Sequence, residues 1–290
     1  MDDQAVWLRQ DALNRHFKFL KIASNFAQSA NLVASSVPYD LLRPSYPQFD
    51  RIHGVGLLRD PLRHALKQQK FFAIAGYGQL YAAAEHAKLH NKQGYTPLST
   101  GTLARSGLES LAYFLYTSLP IPGDDAAFLE QVYRIYNAGM RGFNWNDKSG
   151  ARDEIIKIFS NWSSSQGLRA KPKFDPNKIV NPVVTVDEDP YGFLSDFVHA
   201  NPVLLGLSVI DSQENLNLDV QWDFKAVAIL VQIGTAALEK FADQYSDQIK
   251  SSEFYELSSS LGCTANALIA KQEQFGWGDP KPIPDRDFNK

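Results

Sequence analysis

The sequence predicts a mainly α-helical protein: a multi-helix bundle with one long irregular excursion and a small β-hairpin. Three observations carry this. Apolar residues recur at helical spacing over long stretches, beginning with Val6, Leu13, Phe17, Leu20 and Ala27. Prolines gather between such stretches and mark their ends. The period-2 alternation of a half-buried strand shows only near Leu216, Leu218 and Val220.

Taken in order, residues 3–34 form a long amphipathic helix, with Arg9, Lys18 and Lys21 set among the apolar positions. Residues 35–60 form an irregular connection, given Pro38, Pro44, Pro47, Gly54 and Gly56. Pro61 suits a first helical turn and opens a helix running to about Asn91; Gly76 and Gly78 inside it imply close packing or a kink, and Gly94 stops it. Ser99 or Thr100 caps the next helix, which ends before Pro120-Ile121-Pro122-Gly123. A further helix follows Asp124 or Asp125 to about Gly142, and a short one covers 150–164. Residues 167–190 are the irregular excursion, carrying Pro172, Pro176, Pro182 and Pro190 around the apolar run Val183–Val186, which with 207–222 is where any strand is expected. Residues 191–200 form a short helix closed by Asn201-Pro202, and 207–222 a hairpin. Helices over 223–246 and 251–272 complete one domain, 1–275, followed by an extended tail, 276–290, with Pro280, Pro282 and Pro284.

Composition bounds the function. The 290 residues are 44% hydrophobic and 21% charged, which supplies a sizeable core. A net charge of -3 and a pI near 6.1 give no general attraction for nucleic acid or an anionic membrane. Cys263 is the sole cysteine, so no intrachain disulfide forms; it reads as an inert core thiol, and the chain suits a reducing cytoplasm. The start, MDDQAVWLRQ, is acidic and lacks the apolar core of a signal peptide. The longest apolar run, Ala226–Leu238, is interrupted by Gln232 and Thr235 and falls short of the roughly 18 residues of a membrane span. It reads as a buried core helix, and no membrane partner is expected.

The most informative stretch is Thr102–Tyr116, TLARSGLESLAYFLY, apolar nearly all round yet carrying Arg105 and Glu109 one turn apart. Buried charges must be paired. The pair is therefore a strut between helices or the polar floor of a pocket, and both residues are expected to be largely buried. On that expectation Arg105→Ala costs about 3 kcal/mol or more, because Glu109 is stranded. A second stretch, YGFLSDFVH at Tyr191–His199, sets Asp196 and Ser195 three and four residues before His199, where either can orient the imidazole. A Ser–His pair on one helix lacks the strand–turn–helix setting of a nucleophile elbow, which excludes that hydrolase class. His199 is expected to join Arg105 and Glu109, directly or through water.

Leu103-Ala104-Arg105-x-x-x-Glu109 together with Tyr191-x-x-Leu194-Ser195-x-x-x-His199 resembles an uncharacterised all-helical bacterial family with A-R-x-x-x-E and Y-x-x-L-S-x-x-x-H motifs. The resemblance covers roughly residues 70–240. It implies an all-helical fold in which Arg105, Glu109, Tyr191, Ser195 and His199 belong to one polar cluster; it brings no established reaction.

Arg59-Asp60-Pro61-Leu62-Arg63-His64 is similar to the R-x4-H motif of HEPN ribonucleases, which are helical and usually dimeric. That resemblance implies Arg59 as phosphate stabiliser and His64 as acid or base, with RNA as substrate, a homodimer as the working form and no metal. Pro61 departs from the pattern by holding the motif at a helix start.

His86-x-x-x-His90 has metal-gripping spacing, but Ala87 stands where a zincin has Glu. Surface histidines are the better reading. Gly76-Tyr77-Gly78 lacks the remaining glycine of a dinucleotide fingerprint. Tyr133, Tyr136, Phe143 and Trp145, with Arg134 and Arg141, read as core and interface before they read as a base-stacking surface. No cofactor is expected. The resulting expectation is a binding or interaction protein of defence or stress, for a small polar ligand or a protein partner. The alternative is the metal-independent ribonuclease.

Overall fold

The protein is mainly α. The computed structural model describes residues 3–36, 56–93, 97–118, 157, 161, 164, 174–199 and 216–244, nearly all of them helical and none of them in a strand. The elements are α1 (Asp3–Ser36), α2 (Gly56–Gln93), α3 (Pro97–Ser118), α4 (Pro176–Val180), α5 (Pro190–Val198) and α6 (Leu216–Gln244). Outside the described residues lie the predicted helices over 124–142 and 251–272, most of 150–164, the tail, Cys263 and the aromatic cluster of Tyr133, Tyr136, Phe143 and Trp145.

The helices pack as their apolar spacing requires. On α1 the buried set is Phe19, Leu20, Ala23, Phe26, Ala27, Ala30, Val33 and Ala34, one stripe at three- and four-residue steps. On α2 it is Ala73, Tyr77, Leu80, Ala83, Ala84 and Ala87. The alanines keep both stripes shallow, and α1 lies against α2. α3 packs on α2 and α6 and also carries α4 and α5. Neighbours on several sides explain why its sequence is apolar nearly all round. The run Ala226–Ala237 of α6 is buried throughout, and among the described residues no helix is long and apolar enough to cross a membrane.

Tyr77 sits at the centre. Its ring meets Phe26 and Phe114 edge-on, at 6.1 Å from each. Its hydroxyl donates to the Gly234 carbonyl of α6 at 2.7 Å, and burial pushes the phenol above its ordinary pKa. Next to it, Gly76 permits a close approach of α2 to α3: a Cβ there would lie 2.6 Å from Leu111 Cδ2. Close packing is thus the role of that glycine.

Several sequence expectations are corrected. The connection over 35–60 is shorter, because α2 begins at Gly56. Pro61 is its sixth residue, where the missing N–H forfeits a single bond near the helix end. α3 begins at Pro97, so Ser99 and Thr100 lie in its first turn and are not caps. The excursion 167–190 contains α4 and the first residue of α5, and the short helix opening at Pro190 ends at Val198, with His199 as its C-cap. Asp175 and Asp189 cap these helices from just before a proline; their carboxylates accept the N–H of Asn177 at 3.1 Å and of Gly192 at 3.0 Å. No strand forms at Val183–Val186. The Thr185 N–H donates to Gln232 Oε1 at 2.9 Å, and Gln232 Nε2 donates back to Thr185 Oγ1 at 2.8 Å. A side chain of α6 takes the bond that a strand partner would have made. The part of the predicted hairpin that is described, 216–222, is helical. Leu216, Val220, Phe224 and Val227 also fit helical steps, and that period continues into the buried run.

Between α1 and α2, Ser24 donates to Glu85, and Lys88 pairs with the same carboxylate. Burial pushes Glu85 upward, but the bonds from Lys88 and Ser24 and the Lys88 charge outweigh it, and its pKa falls below the ordinary value. A depressed carboxylate contributes stability above its unfolded pKa and loses it as the pH falls through the folded value. Glu85→Gln is therefore expected to melt below the parent near neutral pH, with the gap closing in acid. Glu239, raised by burial, has the opposite sign, and the difference between parent and variant removes it. A gap that widens in acid would contradict this assignment.

Candidate functional site

The site arises where α5 lies on the N-terminal half of α3. Gly101 makes the seat, since a Cβ there would lie 2.2 Å from Phe197 Cγ. Leu194 and Phe197 are buried in the joint, and Phe197 meets Phe193 and Trp222 edge-on. Docking that face aims Tyr191 and Ser195, one turn apart on α5, at Arg105 of α3.

Arg105 is held from three directions. Its Nε donates to Ser195 Oγ at 3.1 Å. Its Nη2 pairs with Glu109 Oε1 at 3.0 Å. Its Cζ lies 3.8 Å from the centre of the Tyr191 ring, a cation–π stack. The remaining guanidinium N–H groups make no bond among the described residues. Ser195 Oγ in turn donates to the Tyr191 carbonyl at 2.7 Å.

Of the five residues expected in one cluster, the structure brings together Arg105, Glu109, Tyr191 and Ser195. It does not bring His199. That residue is the exposed C-cap of α5, and its backbone N–H donates to the Ser195 carbonyl at 3.0 Å. Three or four residues on from Asp196 and Ser195, it has already left the helix. The expectation that Arg105 and Glu109 are both largely buried is also corrected: the side chain of Arg105 is 14% exposed, that of Glu109 53%. α3 is enclosed where Arg105 leaves it, and Glu109 reaches out to water.

The stability consequence changes with it. Removing Arg105 strands no buried charge. It deletes one hydrogen bond, a weak ion pair to a half-exposed carboxylate, a ring contact and a packed stem, so Arg105→Ala is expected to cost about 1–2 kcal/mol. Chemical denaturation reads this directly, and a loss of 3 kcal/mol or more would return Glu109 to the interior.

Beside this cluster a second joint holds α5 and the chain before it to α6. Lys225 pairs with Asp187 and stands over the Phe193 ring at 4.4 Å. Sequence reasoning missed this strap and the Thr185–Gln232 clamp. The available signal was Gln232 itself, since an amide inside a buried apolar run must find partners.

Arg59 and His64 both fall on α2, where their side chains lie outside the described residues, as does that of His90. His86 is half-buried, with Nδ1 3.3 Å from Thr100 Oγ1. Among the described residues no three His, Cys, Asp or Glu side chains gather as metal ligands would. No family model matches the sequence, and neither a curated protein nor a solved structure matches it.

Proposed function

We propose that this chain is a cytosolic binding protein that grips a small polar ligand at the α3–α5 face, with Arg105 as the recognition group. One observation carries the reading: a guanidinium clamped by Tyr191, Ser195 and Glu109 that, among the described residues, still has unengaged N–H donors, and that keeps partial access to water. An Arg held flat and oriented loses little freedom when it binds, and its planar fork gives direction as well as charge. The resemblance of the two motifs to one helical family implies a cluster of these four residues with His199, and four of the five meet here. The chemistry of Ser195 favours binding over catalysis. Its proton is directed to the Tyr191 carbonyl and its oxygen accepts from Arg105, so among the described residues no base is positioned to activate it.

The test is a thermal-shift and NMR screen of small polar compounds against the parent and Arg105→Lys. The parent is expected to bind at least one of them, and the lysine variant, which keeps the charge but loses the fork, to bind it at least about tenfold more weakly. Ligands indifferent to Arg105, or none, would remove the reading. The ribonuclease alternative has its own assay: single-stranded RNA in chelator. Cleavage reduced about 10²–10⁴-fold by His64→Ala would establish that alternative.

A further inference from the structure

We infer that the ligand is a small carboxylate and that Glu109 is its built-in competitor; this rests on the binding reading above. The observation is the inequality between the partners of Arg105. Tyr191 and Ser195 are half-buried and belong to the docked helix α5. They fix the plane of the guanidinium, and Ser195 is itself anchored to the Tyr191 carbonyl. Glu109 differs in every respect. It is on the same helix as Arg105, it is 53% exposed, and its one bond among the described residues is Oε1 to Nη2. A helix pair four residues apart whose carboxylate stands in water is weak, and that carboxylate exchanges readily with water. Two partners build the site, and the third occupies it.

The occupant is a carboxylate oxygen at 3.0 Å, within ordinary hydrogen-bond distance of the guanidinium. A carboxylate ligand reproduces that bond and adds a second through its other oxygen, using N–H groups that Glu109 leaves unengaged. It does so beside a ring that already carries the cation. Glu109 opposes it twice, by holding Nη2 and by placing a negative charge beside the incoming one. Neutralising Glu109 without shortening it removes both effects and leaves α5 and its two contacts in place.

The experiment tracks the Arg105 side-chain N–H signal by NMR at constant ionic strength, titrating acetate and, separately, inorganic phosphate. The chains are the parent, Glu109→Gln and Arg105→Lys. Acetate is expected to bind the parent weakly and Glu109→Gln roughly threefold to tenfold more tightly, from loss of the competing pair and of like-charge repulsion. Its binding is expected to weaken sharply in Arg105→Lys, monitored there through backbone signals of α3 and α5. Acetate binding that depends on Arg105 but is unchanged or weakened in Glu109→Gln would overturn the competitor role while leaving the binding reading intact. Tighter binding of phosphate than of acetate to Glu109→Gln would overturn the carboxylate assignment. No shift with either anion in any chain would overturn the inference as a whole; the binding reading itself then stands or falls on whether the polar-compound screen finds an Arg105-dependent ligand.

Discussion

Phe114→Ala is expected to destabilise the protein by about 3–5 kcal/mol, which for a chain of this size lowers the melting temperature by roughly 8–15 °C. Phe114 is 1% exposed on α3. Its ring meets Tyr77 of α2 at 6.1 Å and Phe241 of α6 at 5.2 Å. Truncation therefore opens a cavity where three helices meet, and the neighbouring rings are too rigid to fill it. Tyr77 cannot swing in without giving up its bond to the Gly234 carbonyl. Phe71→Ala is the matched control, because Phe71 is 57% exposed. It is expected to shift stability by less than about 0.5 kcal/mol. Equal losses at the two positions would mean that the α2–α3–α6 core is assigned to the wrong ring.

The largest effect on the site is expected from a methyl group. Gly101→Ala places a Cβ 2.2 Å from Phe197 Cγ, against the root of the ring and not its mobile end. Helix propensity alone favours the change by about 1 kcal/mol. The clash outweighs it, since overpacking a joint typically costs about 1–3 kcal/mol and this contact is far inside van der Waals distance. A net loss of about 1–2 kcal/mol is expected. The effect on Arg105 is more telling. If Phe197 is pushed out, α5 shifts, and Ser195 and Tyr191 leave the guanidinium together. Ligand binding found for the parent is then expected to fall at least about tenfold, although Gly101 touches no ligand. A more stable Gly101→Ala protein with unchanged binding would show that α5 does not rest on this glycine.

Much of the fold was legible because helix periodicity is local. On α1 the spacing picked out Leu20 and Ala27, which are buried, while Phe17 is only half-buried; α2 ends at Gln93, close to where the sequence marks a stop. The errors cluster where two local readings were both satisfied. Leu216, Leu218 and Val220 alternate like a strand, yet Leu216 and Val220 also step into Phe224 and Val227 like a helix, and the buried continuation decided between them. Val183–Val186 has strand composition, but a strand needs a neighbour, and here Gln232 supplied the bond. Asp175-Pro176 and Asp189-Pro190 are helix starts written in plain chemistry, a capping carboxylate before a proline. The surrounding prolines disguise them as loop.

The site divides along the same line. Sequence by itself determined that Arg105 and Glu109 share a helix face, that Tyr191 and Ser195 share another, and that α3 is too apolar to be wet on one whole side. These are consequences of 3.6 residues per turn and of the cost of exposing apolar surface. Only the tertiary structure decided that the two faces meet, across the gap that Gly101 leaves for Phe197. It also decided that Glu109 stands in water and that His199 ends its helix outside the cluster. The reason is that burial belongs to a neighbour and not to a residue: a periodic pattern states which side of a helix seeks cover, while the length of cover and the turn at which it ends are set by the helix that arrives.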